Sequence, residues 1–101
     1  MKRKKIVIRE LIWDDWNTAH IAKHDIIPDK VQEVCNSNRV EREAYEQRIF
    51  LIGPTKNGRM LSVVLEPTEN PDVYKPITAF NASKRSIQDY QEENKQGGEA
   101  S

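Results

Sequence analysis

The sequence has few of the residues that would place it outside the cell or in a membrane. Cys35 is its only cysteine, so it forms no internal disulfide, which is typical of a cytoplasmic protein. It has no run of about 18 apolar residues, which argues against a membrane-spanning helix. The basic start at residues 1–5 is followed by too few apolar residues for a secretory signal. We therefore expect a cytoplasmic location and no association with a membrane.

The chain also lacks a net charge, because 16 basic residues balance 16 acidic ones. Nucleic-acid binding without sequence preference depends on a strong positive field, which this composition does not supply. An RNA site therefore requires that folding concentrate the cations in one place.

The chain has 101 residues, of which 37% are hydrophobic. We therefore expect one domain with a thin core over residues 1–91 and a flexible polar tail over residues 92–101.

Motifs of several enzyme classes are missing as well. The sequence contains no glycine-rich phosphate loop and no G-x-S-x-G nucleophile elbow. His20 and His24 have the i, i+4 spacing of the metal-binding HExxH motif, but Ile21 stands in place of its glutamate and no third ligand has suitable spacing. We therefore expect neither a metal nor another cofactor. Cys35 is expected to be a small buried residue.

The first half of the sequence predicts one strand and two helices. β-Branched residues favour the strand, an aspartate suits the start of the first helix, and a proline suits the first turn of the second. Trp16 and His20 share one face of the first helix, which favours packing against a core or a partner over a chemical role for His20. The predicted elements are a strand over 4–12, a helix from Asp14 or Asp15 to about Lys23, and a helix from Pro28 to residues 36–38.

The second half predicts an antiparallel meander followed by a helix. Asn57 and Gly58 tolerate positive φ and mark a hairpin. Pro76 lacks a backbone donor, so its strand is expected at an edge or bulged. The predicted strands cover residues 40–44, 48–53, 60–65 and 73–80, and Asn81 or Ser83 caps the last helix. These elements predict an α+β fold in which a small antiparallel sheet packs against two N-terminal helices, with a C-terminal helix.

Several short segments of the sequence follow one another in the same order as the motifs of a known protein family. They are W-D-D-W-N at 13–17, H-I-A-K-H at 20–24, R-I-F-L-I-G at 48–53, G-R-M-L-S-V-V at 58–64, I-T-A at 77–79, A-S-K-R at 82–85, and Tyr90. Over residues 10–91 this series resembles the BrnT family of toxins. The resemblance implies a RelE-like fold and the toxin of a type II toxin–antitoxin system. It also implies a metal-independent endoribonuclease with RNA as substrate and a cognate antitoxin as partner.

Two positions depart from the family pattern. Phe80 stands where the family usually has an arginine directly after its I-S-A triplet, and Asn81 occupies the following basic position. This removes a cation that the resemblance places near the scissile phosphate. Asp25 stands where the family often has glycine. The alternative is therefore a catalytically degenerate BrnT-like module that binds a protein without cleaving RNA.

RNA cleavage without a metal needs a base, an acid, and cations that stabilise the phosphorane. Histidine titrates near neutral pH, and arginine offers bidentate donors to phosphate. The candidate catalytic residues are His24, Arg48 and Arg59, and the candidate substrate-binding residues are Lys23, Lys84 and Arg85.

Each candidate also has a structural interpretation. His24 lies near the C-terminal end of a helix, where the partial negative charge of the last carbonyl groups stabilises an imidazolium. Arg48 and Arg59 flank the predicted hairpin and suit ordinary solvated strand ends. Lys84 and Arg85 begin a helix, where positive charge gains nothing from the dipole, and this favours anion binding.

The exposed edge of the predicted meander also suggests that the protein self-associates as a homodimer.

Overall fold

Five strands and three helices make up the described part of the chain, residues 5–99, in a computed structural model whose side chains are described as far as Lys95. This confirms the predicted α+β class. The elements are β1 (Glu10–Leu11), α1 (Asp15–Ala22), α2 (Pro28–Cys35), β2 (Val40–Glu43), a short 3-10 turn (Tyr45–Gln47), β3 (Ile49–Pro54), β4 (Met60–Pro67), β5 (Val73–Asn81) and α3 (Lys84–Glu99).

The sheet is mixed, with the strand order β1-β5-β4-β3-β2. The predicted antiparallel meander is confirmed for β2 to β5, whereas β1 runs parallel to β5. The strand predicted over residues 4–12 was wrong in length. Ile6 is held beside β2, where its N–H donates to the Glu41 carboxylate and its carbonyl accepts from Arg39. The segment then crosses the end of the sheet, so only Glu10 and Leu11 lie alongside β5.

Helices cover both faces of the sheet. α1 and α2 enclose one core, whose buried members are Ile21, Ile26, Val31, Val34, Cys35, Leu51, Leu61, Val63, Leu65 and Ala79. Cys35 is buried as predicted, and burial raises the pKa of its thiol to about 11. α3 lies on the opposite face, where Glu93 pairs with Arg42 of β2 at 2.6 Å. None of the helices in the described range has the length and apolar character needed to cross a membrane.

The N-terminus of α1 is attached to β5 by polar contacts. Asp14 caps the helix by accepting the Asn17 N–H, as predicted for a capping aspartate. The Lys75 ammonium, 2.8 Å away, holds the pKa of Asp14 below its ordinary value, with the Asn17 N–H adding to the effect. The Asn17 amide is fully buried and donates to the carbonyls of Ile12 and Pro76. α1 is therefore fixed to β5 at this end.

These contacts also determine which face of α1 points inward. Of the two settings expected for the face of Trp16 and His20, a core or a partner, the core does not apply to Trp16, because its side chain is 59% exposed. The adjoining residues Asn17 and Ile21 are the fully buried ones. The buried asparagine is stable there because each of its amide N–H groups has a carbonyl acceptor. As a result, the helix presents Trp16 to solvent.

The features predicted at the end of the chain are partly confirmed. Leu65 pairs with Pro76 and Val64 with Thr78, so Ile77 is the extra residue of a bulge, as the proline led us to expect. Ser83 is the cap of α3, because its hydroxyl accepts the Ser86 N–H. α3 continues to Glu99, so residues 92–99 of the predicted tail belong to a helix. Residues 100 and 101 lie outside the described range.

Truncating the buried amide should destabilise the protein. Asn17→Ala leaves the buried Pro76 carbonyl without its donor and removes the second half of the capping box. We expect the free energy of unfolding to fall by about 3 kcal/mol. Urea denaturation followed by circular dichroism measures it. The exposed Asn38→Ala control should change stability by less than about 0.5 kcal/mol, and equal losses in the two variants would contradict this account of α1.

Candidate functional site

The backbone after α1 turns sharply at Asp25 and leaves His24 exposed. The Ile26 N–H donates to the Ile21 carbonyl and the Asp25 N–H to the Ala22 carbonyl, which is the hydrogen-bond pattern of a Schellman motif. Asp25 has φ of 61°, the left-handed conformation that this motif requires. Glycine is the preferred residue at such a position, which gives a physical reason for the glycine seen there in the family pattern.

Arg59 links this turn to the end of β5. Its Nη1 donates to the Asp25 carbonyl at 2.8 Å and its Nη2 to the His24 carbonyl at 3.0 Å. Its Nε donates to the Asn81 side-chain oxygen at 2.9 Å. The Gly58 hairpin places Arg59 next to β4, on the sheet face that carries Leu61 and the two helices. The Arg59 guanidinium therefore contacts the backbone of His24, and three of its five N–H groups are used in this link.

Three further cations lie at the same end of the sheet. Met60 follows Arg59 directly, and its carbonyl accepts the Ala82 N–H at 3.0 Å, which fixes the start of α3 there. Lys84 and Arg85 occupy the first turn of that helix, and both are exposed. Lys23 is exposed at the C-cap of α1. We call this group the His24 corner; it consists of His24, Lys23, Arg59, Lys84 and Arg85.

Phe80 lies at the edge of the His24 corner. Its ring centroid is 6.3 Å from that of His24 and 6.5 Å from that of Phe50. The position where the family pattern has an arginine is therefore beside the imidazole. An arginine at position 80 would bring a guanidinium to the histidine, whereas phenylalanine supplies an aromatic ring. This departure lowers the positive charge of the corner.

Arg48 is far from this corner. Arg59 pairs across the hairpin with Thr55, so Arg48 lies seven residues further along, about 23 Å at 3.3 Å per residue. Its guanidinium contacts Glu66 at 3.2 Å, and it borders a concavity of about 590 Å³ that Glu41 and Glu43 also line. The prediction that Arg48 joins His24 and Arg59 in one cleft does not agree with this geometry. Arg48 lies at the open end of the β3–β4 hairpin, and Arg59 lies next to its turn.

Two features of the site were missed by reading the sequence. Asn81 was considered as a helix cap and as a departure from the family pattern, but not as a partner of Arg59, from which its side chain accepts a hydrogen bond. Trp16 and His20 were placed on one face of α1, but the stacking of their rings on the protein surface was not foreseen. The i, i+4 spacing of Trp16, His20 and His24 was the available signal for a row of rings along one side of α1. Among the described residues, no three His, Cys, Asp or Glu side chains are grouped as a metal site would require.

The two arginines should differ in their effect on stability. Arg59→Ala releases two carbonyls and the Asn81 amide, so we expect a loss of about 2 kcal/mol in the free energy of unfolding. Arg48→Ala removes a solvent-screened ion pair and should cost less than about 1 kcal/mol. Chemical denaturation of both variants compares them directly. The reverse order would mean that Arg59 does not hold the end of α1.

A glycine at the turn should stabilise the protein. Asp25→Gly removes the cost of the left-handed conformation, and we expect a gain of about 1 kcal/mol. The matched change Asp29→Gly, in the first turn of α2, should instead destabilise it by a similar amount. Thermal unfolding of the two variants should shift in opposite directions. A shift of both midpoints to lower temperature would contradict the role assigned to Asp25.

Comparison with known proteins adds no assignment to this geometry, because no family model matches the chain and the search of curated proteins found no match. The resemblance to the BrnT family therefore rests on the residue pattern from Trp13 to Tyr90.

Proposed function

We propose that this protein is a toxin-like endoribonuclease of a type II toxin–antitoxin system, and that it cleaves RNA without a metal at the His24 corner. The observation that carries the proposal is that His24, whose side chain is exposed and whose carbonyl accepts from Arg59, lies at the same end of the sheet as Lys23 and the first turn of α3. Folding gathers four cations at one end of a chain whose charges cancel in sum. This is the concentration of positive charge that an RNA site on a neutral protein requires.

The residues of the corner differ in what they offer to the reaction. His24 takes part in proton transfer, either as the base that accepts the proton of the 2′-hydroxyl or as the acid that donates a proton to the leaving 5′-oxygen. Lys84 and Arg85 hold the phosphate. Both side chains are exposed in the first turn of α3, where the helix dipole disfavours positive charge and favours a bound anion. Arg59 acts mainly as a positioning residue. It fixes the backbone of His24 and retains at most two N–H groups for a phosphate oxygen.

Cleavage in the presence of EDTA tests this function. The purified protein should cut single-stranded or ribosome-bound RNA and leave a 2′,3′-cyclic or 3′-phosphate. His24→Ala should reduce the rate at least about a hundredfold, the usual contribution of acid–base catalysis. Arg48→Ala serves as the matched control and should retain the rate, because Arg48 lies at the other end of the sheet. An equal loss in both variants would remove the assignment to the His24 corner.

A second candidate function is a non-catalytic binding module that retains the fold. Two observations favour it: Phe80 replaces the expected cation, and Arg59 uses most of its donors within the protein. The variant Phe80→Arg discriminates the two functions, because it places a guanidinium beside His24. RNA cleavage that appears only in this variant favours the degenerate module, whereas cleavage already present in the unmodified protein favours the toxin.

Partners of the protein follow from the same proposal. A toxin of this class is expected to bind a cognate antitoxin, and a neighbouring gene for a small DNA-binding protein would support it. A homodimer built on a sheet edge has less support. β2 presents Glu41, Arg42 and Glu43, and charges of this kind protect an edge from pairing. β1 and the Asn17 amide occupy the β5 edge as far as Pro76.

A further inference from the structure

Aromatic rings form a continuous row from α1 to the sheet. The rings of Trp16 and His20 are stacked, with centroids 4.9 Å apart and planes inclined by 10°. His20 is 6.2 Å from His24 in an edge-on arrangement, and His24 is 6.3 Å from Phe80. We call Trp16, His20, His24 and Phe80 the aromatic row. It begins at the first turn of α1 and ends in the His24 corner.

The core does not need the aromatic row. α1 is packed through Asn17 and Ile21, while Trp16 is 59% exposed even though one of its faces is covered by His20. Asn17 fixes the start of the helix and Arg59 fixes the turn at its end. The backbone that carries the three rings of α1 is therefore fixed relative to the sheet. The uncovered face of the Trp16 indole is available for a planar ligand.

The chemistry of the aromatic row fits nucleobases. Half of its rings are imidazoles, which are planar but polar, so the row is less apolar than a groove for aliphatic side chains. Aromatic faces bind successive bases of single strands without regard to sequence. The cations of the His24 corner lie at one end of the row, where a phosphate would be held, whereas Lys75 at the other end is paired with Asp14. On a protein of zero net charge, phosphate contacts alone give little affinity, so stacking has to contribute to RNA binding.

We infer that the aromatic row is a stacking track for single-stranded RNA, with a base on the open face of Trp16 and the chain leading to the His24 corner. This inference rests on RNA being the ligand of that corner. It assigns to Trp16 and His20 a binding role that the cleavage chemistry does not require.

The length of the track sets the size of the ligand. Trp16 and His24 are eight residues apart, about 12 Å at 1.5 Å per residue of helix. Stacked nucleotides advance about 3.4 Å each, and a base on the open face of Trp16, which is turned away from His20, adds one such step. That base is therefore about four to five nucleotides from a phosphate at His24. A dinucleotide does not span this distance. Affinity should therefore increase between two and about five nucleotides and depend on Trp16 only for the longer ligands.

A protein surface is the competing occupant of this region. Ile27 is 54% exposed and Ile12 38% exposed, and both lie near the ends of α1. A protein partner docked on an apolar face would contact these aliphatic side chains as well as Trp16. RNA bases would use the rings and leave the isoleucines unaffected. Ile27→Ala is therefore the matched control for Trp16→Ala.

The test uses the full chain and 2′-O-methyl oligonucleotides, which cannot be cleaved. Tryptophan fluorescence should be quenched on titration with an octamer, and the quenching should be lost in Trp16→Phe, which leaves Trp13 as the only tryptophan. Trp16→Ala should weaken binding of the octamer at least about fivefold, the lower limit for one stacked base. Trp16→Phe should retain most of the affinity, and Ile27→Ala should remain within about twofold. Far-ultraviolet circular dichroism verifies that each variant is folded.

The outcomes separate this inference from the proposed function. Octamer affinity that is unchanged in Trp16→Ala overturns the stacking track, even if the protein cleaves RNA through His24. Equal weakening in Ile27→Ala and Trp16→Ala also overturns it, because it indicates an apolar docking face. Binding that depends on Trp16 without any cleavage supports the track and contradicts the ribonuclease.

Discussion

The Arg59 guanidinium fixes the end of α1 against the end of β5, and the candidate site depends on this link. Its three hydrogen bonds join the His24 and Asp25 carbonyls to the Asn81 side chain. At the other end of α1 the Asn17 amide bonds to the Pro76 carbonyl. With both ends held, the backbone that carries the exposed rings of α1 is fixed relative to the sheet. A ligand that binds there does not have to order the helix first, which lowers the cost of binding.

The local elements were predictable because their signals are local. A capping aspartate and a proline at the first turn defined α1 and α2, and the serine at position 83 capped α3. Alternation and turn residues gave the meander, and Pro76 indicated its bulge. The course of residues 6–9 was not predictable, because Arg39 and Glu41 hold that segment by contacts more than thirty residues away. Burial of Asn17 in place of Trp16 likewise depends on a carbonyl of β5.

The candidate site was partly predictable. Residue types identified His24 and the cations, but only the fold shows which of them meet. The separation of Arg48 from Arg59 follows from hairpin geometry, since one arginine precedes the outgoing strand and the other precedes the returning strand. The contact between His24 and Phe80 brings the end of α1 to the last strand, and no local sequence pattern predicts it, because the two residues are far apart in the sequence. The resemblance to BrnT places a cation there, and phenylalanine in its place is the main chemical difference between this chain and that pattern.

Each end of the sheet carries one of the two arginines, and the end with His24 is the proposed RNA site. The most direct test is chemical-shift mapping of the isotope-labelled protein with a single-stranded, non-cleavable RNA. Perturbed amide signals are expected at residues 16–27, 58–60 and 80–86, around the aromatic row and the His24 corner. Perturbations confined to residues 41–49, around Arg48 and its neighbouring concavity, would contradict the proposed site.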